Sequence, residues 1–238
     1  MKRALPLLAF AALACTAVSA QTRTSMTAAT DADYINTELS KGKGLSTRSS
    51  TAGSPFLFHN WTSGQLVSTV SGPRRALLKY DLAQNRLLVR KPNGDSVEVM
   101  MAQVKEFTLG DSARGERYTF RLYPDVKTEK PTLRSTLWDV RYDAGSTALL
   151  RQRTRTVYSY GNSPSLAGST GSAWRDTYAY YIKRTDNTLV PVRLNTRSVL
   201  EALGKAQAPA LQAYINQQRL KLDDEADVAK LLAYFDTL

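Results

Sequence analysis

The chain has 238 residues, with 32 Lys and Arg against 21 Asp and Glu, one His and one Cys. These counts exclude a disordered tail, a collagen-like rod and a large multi-domain enzyme, and they fit one or at most two compact domains. With 42% hydrophobic and 22% charged residues the chain has the means to bury a core, so its formal charge of +11 belongs to the surface.

Residues 1–20 carry Lys2 and Arg3, the apolar run Leu5 to Ala14, and Val18-Ser19-Ala20. That is the charged, apolar, small-residue order of a secretory signal peptide, and it predicts an exported protein, periplasmic or secreted, starting near Gln21. The apolar run is shorter than the roughly 20 residues a membrane-spanning helix needs, and no later segment approaches that length. No transmembrane segment is therefore expected after cleavage. Ala12-Leu13-Ala14-Cys15 offers a weaker alternative, in which Cys15 is lipidated. Cleavage after Ala20 removes the one Cys, and with it any disulfide. Charge is unevenly placed, since residues 21–195 hold 25 Lys and Arg against 15 Asp and Glu, while residues 196–238 hold 5 against 6.

Residues 21–54 are rich in Thr, Ser, Ala and Gly, with Lys41-Gly42-Lys43-Gly44 among them, and read as a flexible leader. From Pro55 to Asn195 short segments alternate apolar and polar residues between turn signals, which predicts an antiparallel β domain. Tyr118, Phe120 and Leu122 alternate with Arg117, Thr119 and Arg121, and Trp138, Val140 and Tyr142 with Asp139, Arg141 and Asp143. Asn93-Gly94 and Asp186-Asn187 have the chemistry of hairpin turns. At Asp143-Ala144-Gly145 a three-residue loop pairs Val140 with Ala148 and Trp138 with Leu150. A two-residue loop would set Arg151 opposite Trp138, so the longer loop is expected, with Gly145 in its left-handed position. Eight to ten such strands suggest a meander closed into a barrel or half-barrel, or folded into a sandwich.

From Thr196 the apolar period becomes helical. Val199, Leu200 and Leu203 mark one helix, Leu211, Tyr214 and Ile215 a second, and Val228, Leu231, Leu232 and Phe235 a third. Asp223, Asp224, Glu225 and Asp227 crowd the start of the last, where carboxylates cap free N–H groups. The expected class is α+β, mainly β, with a small helical segment over residues 196–238 packed on or beside the sheet.

No catalytic motif stands out. His59 is the one imidazole, and with no Cys in the mature chain it would need three carboxylates to hold a zinc ion, an unusual set. Asp139 and Asp143 lie roughly 13 Å apart along an extended strand, beyond the spacing of glycosidase carboxylates, and read as surface charge interleaved with Arg141. Residues 161–173 contain neither a G-x-S-x-G nucleophile turn nor a phosphate-binding loop. No cofactor and no metal are implied.

What remains is Arg151, Arg153 and Arg155, spaced by two and so pointing one way from one strand. Three guanidiniums on one face make a stripe suited to phosphate or carboxylate. Tyr158, Tyr160, Trp174 and Tyr178 lie near enough in sequence to supply aromatic contacts. Export turns the reading away from nucleic acid and toward an anionic glycan, lipopolysaccharide or an envelope protein. The plainer alternative is a solvated face with tyrosines paired across strands.

Leu77-Leu78-Lys79-Tyr80-Asp81, Val104-Lys105-Glu106-Phe107-Thr108-Leu109, Asp143-Ala144-Gly145-Ser146-Thr147-Ala148-Leu149-Leu150 and Ala226-Asp227-Val228-Ala229-Lys230-Leu231-Leu232-Ala233-Tyr234 resemble a family of secreted β-rich proteins of the Bacteroidota with no known activity. The resemblance covers roughly residues 54–238 and implies an exported β domain with a helical end, carrying no functional residue across. The sequence thus points to an exported, non-enzymatic binding or structural protein of the bacterial envelope, with a basic β face toward an anionic partner. A carrier of a lipid or other apolar ligand in a barrel cavity is the first alternative, and a hydrolase without a recognisable motif the second.

Overall fold

The computed structural model describes residues 51–111, 115–160 and 171–238. Ten strands form one antiparallel sheet: β1 (Thr62–Ser68), β2 (Arg74–Asp81), β3 (Arg86–Arg90), β4 (Ser96–Glu98), β5 (Val104–Asp111), β6 (Glu116–Leu122), β7 (Leu137–Tyr142), β8 (Ala148–Tyr160), β9 (Gly171–Lys183) and β10 (Leu189–Val192). Three helices follow, α1 (Thr196–Leu203), α2 (Ala208–Gln218) and α3 (Glu225–Phe235). Strand order is β10-β9-β8-β7-β6-β5-β1-β2-β3-β4, so the chain makes two meanders joined where β5 returns to the free side of β1. The sheet is not closed into a barrel, and β4 and β10 are its outermost strands.

Alternation sorts the side chains. A row of directly opposed residues crosses five strands, Phe120, Asp139, Arg151, Tyr180 and Val192, and therefore lies on one face. At one end of that face Tyr80, Phe107 and Phe120 pack with centroids 4.8–5.0 Å apart, among buried Leu66, Leu78, Leu87 and Val89. At the other end Leu149, Ile182 and Val192 lie beneath Val199, Leu211, Ile215, Val228, Leu231 and Leu232 of the helices. This is the helix face. The outer face carries a smaller core of Trp138, Ala148, Leu150 and Leu189, covered by Val126 and Leu133 from the β6–β7 connection. Each buried aliphatic side chain contributes about 1.5–3 kcal/mol, so helices and sheet hold one another in place.

The helix starts follow the sequence: the Asn195 side chain accepts from the Ser198 N–H at 2.8 Å, and Asp224 accepts from Ala226 N–H at 2.9 Å. Both expected hairpins form, with Gly94 and Asn187 at positive φ. The β7–β8 register differs from the expected one by two residues, since Val140 opposes Leu150 and Asp139 opposes Arg151. A slip of two leaves every side chain on its own face, so hydrophobic sorting alone does not exclude it. An irregularity between Val140 and Tyr142 then carries Tyr142 to the helix face, away from Trp138 and Val140. Gly145 is not in the left-handed region. It is needed for space, because a Cβ there would stand 2.1 Å from Asp236 Oδ2.

The leader boundary also moves. Ala52 donates to Ser172 O at 2.8 Å and accepts from Trp174 N–H at 3.1 Å, adding a short parallel bridge to the edge of β9. The chain then reaches the end of β2, where Leu57 N–H donates to Tyr80 O and Leu82 N–H to Pro55 O. Residues 51–54 are thus part of the fold.

Candidate functional site

The middle of the helix face is ionic. Arg151 donates to the buried Asp139 carboxylate through Nε at 2.9 Å and to Glu225 Oε1 through Nη1 at 2.6 Å. Arg141 completes a ring, with Nε 2.5 Å from Glu225 Oε2 and Nη1 3.5 Å from Asp139 Oδ1. The Tyr180 hydroxyl donates to Glu225 Oε1 at 2.7 Å. Glu225 therefore belongs to this ring, while its neighbours Asp224 and Asp227 bond backbone N–H groups near the helix start as expected. Burial opposes charge on Arg151, yet Asp139 and Glu225 outweigh it and hold its pKa above the ordinary value.

Farther along β8, Arg153 reaches Asp176 Oδ2 at 2.6 and 3.0 Å, and Arg155 takes both oxygens of the same carboxylate. Arg155 also donates to the carbonyls of Ser54 and Phe56, which fixes the segment entering from β9. Asp176 is held down to about 2, because hydrogen bonds from Arg155 and Arg153 outweigh the effect of burial.

The three arginines do share one face, as their spacing requires. They do not form a solvent-facing stripe: their side chains are 11%, 10% and 15% exposed and committed to carboxylates. The alternation rule gives a face but not whether that face meets water, and here α3 and the 51–58 segment lie over it. Asp139 is likewise a buried ion-pair partner and not surface charge, while Asp143 takes Arg121 and the Tyr123 hydroxyl.

The aromatic candidates separate. Tyr178 stays on the arginine side, 47% exposed, with the Arg151 and Arg153 guanidiniums 5.0 and 5.6 Å from its ring. Tyr158 is on the outer face with Arg175 5.0 Å from its ring. Trp174 is half-buried against Gly53. The side chain of Tyr160 lies outside the described residues. His59 is exposed, and no cluster of three metal-ligating side chains occurs among the described residues.

Uncompensated cations gather elsewhere. On the outer face of β2, Arg75, Leu77 and Lys79 alternate with buried Leu78 and Tyr80, and Leu77 is 44% exposed. Arg90 and Arg117 join them by the same alternation on β3 and β6. None of Arg75, Lys79, Arg90 and Arg117 has a carboxylate within ion-pair distance among the described residues. Lys79 Nζ stands 4.5 Å over the Phe56 ring and 5.9 Å over Trp61, and Arg90 stands 5.9 Å over Trp61. Between Arg75 and Arg117 runs a trough of about 470 Å³, with Ser63, Gln65, Thr108 and Gly110 along it and Glu116 also in its lining. Gly110 leaves the floor bare, since a Cβ there would meet nothing closer than 3.5 Å. The sequence signal that could have found this face is the Arg75-x-x-x-Lys79 spacing on an alternating strand, which is weaker to the eye than three arginines in a row.

No helix among the described residues is long and apolar enough to cross a membrane. No family model matches the chain, and no curated protein or solved structure matches it.

Proposed function

We propose that this chain is an exported, non-enzymatic binding protein of the bacterial envelope, whose outer sheet face contacts an anionic polymer. The observation that carries the reading is the set Arg75, Lys79, Arg90 and Arg117, with no carboxylate in ion-pair range among the described residues, on a face that also presents Trp61 and Leu77. Guanidiniums on either side of a hydroxyl-lined trough suit sulfate, phosphate or carboxylate groups, and neighbouring rings suit sugar faces. Export is read from the order of residues 2–20.

The shared ligand chemistry is a row of anionic groups, from a glycan or from lipopolysaccharide phosphates. Binding to heparin and to vesicles containing lipopolysaccharide distinguishes the two sources. Arg75→Glu with Arg117→Glu is expected to weaken the relevant arm at least tenfold and to flatten its salt dependence. Unchanged affinity in both arms would overturn the proposal. The carrier reading needs a closed barrel with an empty interior, whereas this sheet is open and Tyr80, Phe107 and Phe120 pack against one another on its helix face. The hydrolytic reading draws no support from His59, which has no hydrogen bond to a Ser or Asp among the described residues.

A further inference from the structure

The outer edge of β9 is interrupted. Near its start Ser172 and Trp174 bond to Ala52, and near its end Tyr180 and Ile182 pair with Val192 and Val190 of β10. Backbone groups alternate along a strand, so Asp176 and Tyr178 turn their N–H and C=O groups the same way as these residues, away from β8. Among the described residues nothing pairs with them there. Arg175, Thr177, Tyr178 and Ala179 are exposed. The result is a notch of five residues, about 17 Å of open strand edge, leading into a cleft of about 430 Å³ beside Pro191, Val192 and Arg193.

The other edges are guarded. On β10, Leu189 N–H donates to Lys127 O, and the next outward position is Pro191, which has no N–H to offer. At the opposite margin β4 is only three residues long. Proteins blunt exposed edges in these ways, so an open one between two closed ones stands apart. It is also stiff. β9 pairs with β8 along its whole length, the Thr154 and Thr177 hydroxyls meet at 2.6 Å, and Asp176 is gripped by Arg153 and Arg155. A pre-ordered edge loses little freedom when a strand joins it.

We propose that this notch is a β-augmentation site for a short extended segment of a partner protein in which acidic and apolar residues alternate. Length selects the segment: Ala52 and β10 block a longer strand lying in the sheet plane. They also exclude the β9 of a second copy, which would bring its own β10 and Ala52 into the same space. Charge selects its sequence. On the outer face the notch presents Arg175, and the cleft beside it carries Arg193, both exposed and without a carboxylate in ion-pair range among the described residues. On the helix face it presents the ring of Tyr178. Successive side chains of an added strand would meet these in turn, acidic toward the arginines and apolar toward the tyrosine. The site is separate from Arg75 and Arg117 and does not rest on the anionic-polymer reading.

The test uses the full chain and a fluorescent pentapeptide, Glu-Val-Glu-Val-Glu, with Lys-Val-Lys-Val-Lys as the control. The acidic peptide is expected to bind at least tenfold more tightly, and N-methylation of the amides facing β9 to abolish binding while methylation of the alternate amides does not. Hydrogen exchange at Asp176 and Tyr178 should slow on binding while Thr177, already paired with β8, stays unchanged. Arg175→Glu with Arg193→Glu should reverse the preference between the two peptides, and Arg75→Glu with Arg117→Glu should leave it intact. Indifference to N-methylation, or protection that spares Asp176 and Tyr178, would overturn the proposal and indicate only charge attraction to a polyanion.

Discussion

Arg151 and Glu225 are 74 positions apart in the chain and 2.6 Å apart in the structure. The contact ties the first residue of α3 to the middle of the sheet, and Asp139, fully buried beneath Arg151, makes it a closed ionic ring. Such a ring is weak as a source of net stability and costly to break by half, because one lost partner strands a buried charge. Asp139→Ala is expected to destabilise the protein by about 3–5 kcal/mol in urea unfolding. Replacing Asp139 and Arg151 together by Leu and Met should cost clearly less than the single change. Equal costs would mean that losing Asp139 does not leave Arg151 as a stranded charge.

Acid should weaken the β8–β9 hairpin through Asp176. Asp176 is held at about 2, below the ordinary carboxylate value, so its contribution is complete above about pH 4 and is lost as pH falls toward 2. Asp176→Asn gives up this contribution at every pH. The stability gap between wild type and variant should therefore be constant from pH 7 to 5 and shrink between pH 4 and 2. A gap that holds constant down to pH 2 would show that the carboxylate is not the partner Arg153 and Arg155 depend on.

Gly145 is required by its neighbour and not by its backbone angle. Asp236 accepts from Tyr142, Ser146 and twice from Thr147, and the Gly145 Cα leaves room for that carboxylate. Gly145→Ala should displace it and cost about 2–3 kcal/mol. In an Asp236→Ala background the same change should cost at least about 1 kcal/mol less, since the two residues are coupled. Additive costs would point instead to the turn conformation.

Much of the fold was legible because alternation and helical period are local properties. Tyr118 and Phe120, and Val228 and Leu232, sit on the faces their spacing predicts. The β7–β8 register was not, because it is decided by Asp139 opposite Arg151 and by Asp236 gripping the turn from 89 or more positions away. The same long-range carboxylates keep the three arginines from forming the open stripe that their spacing suggests. Spacing by two showed that Arg151, Arg153 and Arg155 point together. Nothing local shows that Glu225 and Asp176 stand there, or that Arg75 and Arg117 are among the cations with no carboxylate partner within the described residues.

Pro191 offers a test of how the open margin is controlled. It occupies the outward-facing position of β10 after Leu189, whose N–H is taken by Lys127 O, so the strand has no free donor at that point. Pro191→Val restores an N–H on an exposed edge and adds a β-branched side chain, both of which favour pairing with another chain. The fold itself should be unaffected, because the lost ring makes no contact with the helix-face core and the bonds to β9 come from the alternate residues Val190 and Val192. Sedimentation should then reveal concentration-dependent self-association stronger than the parent protein's, at an unfolding free energy within about 1 kcal/mol of wild type. If the variant associates no more than the parent over the same range, the proline is not what keeps this edge unpaired. Protection would then rest on Lys127 and its neighbours in the β6–β7 connection, and Leu189 would be the position at which to open it.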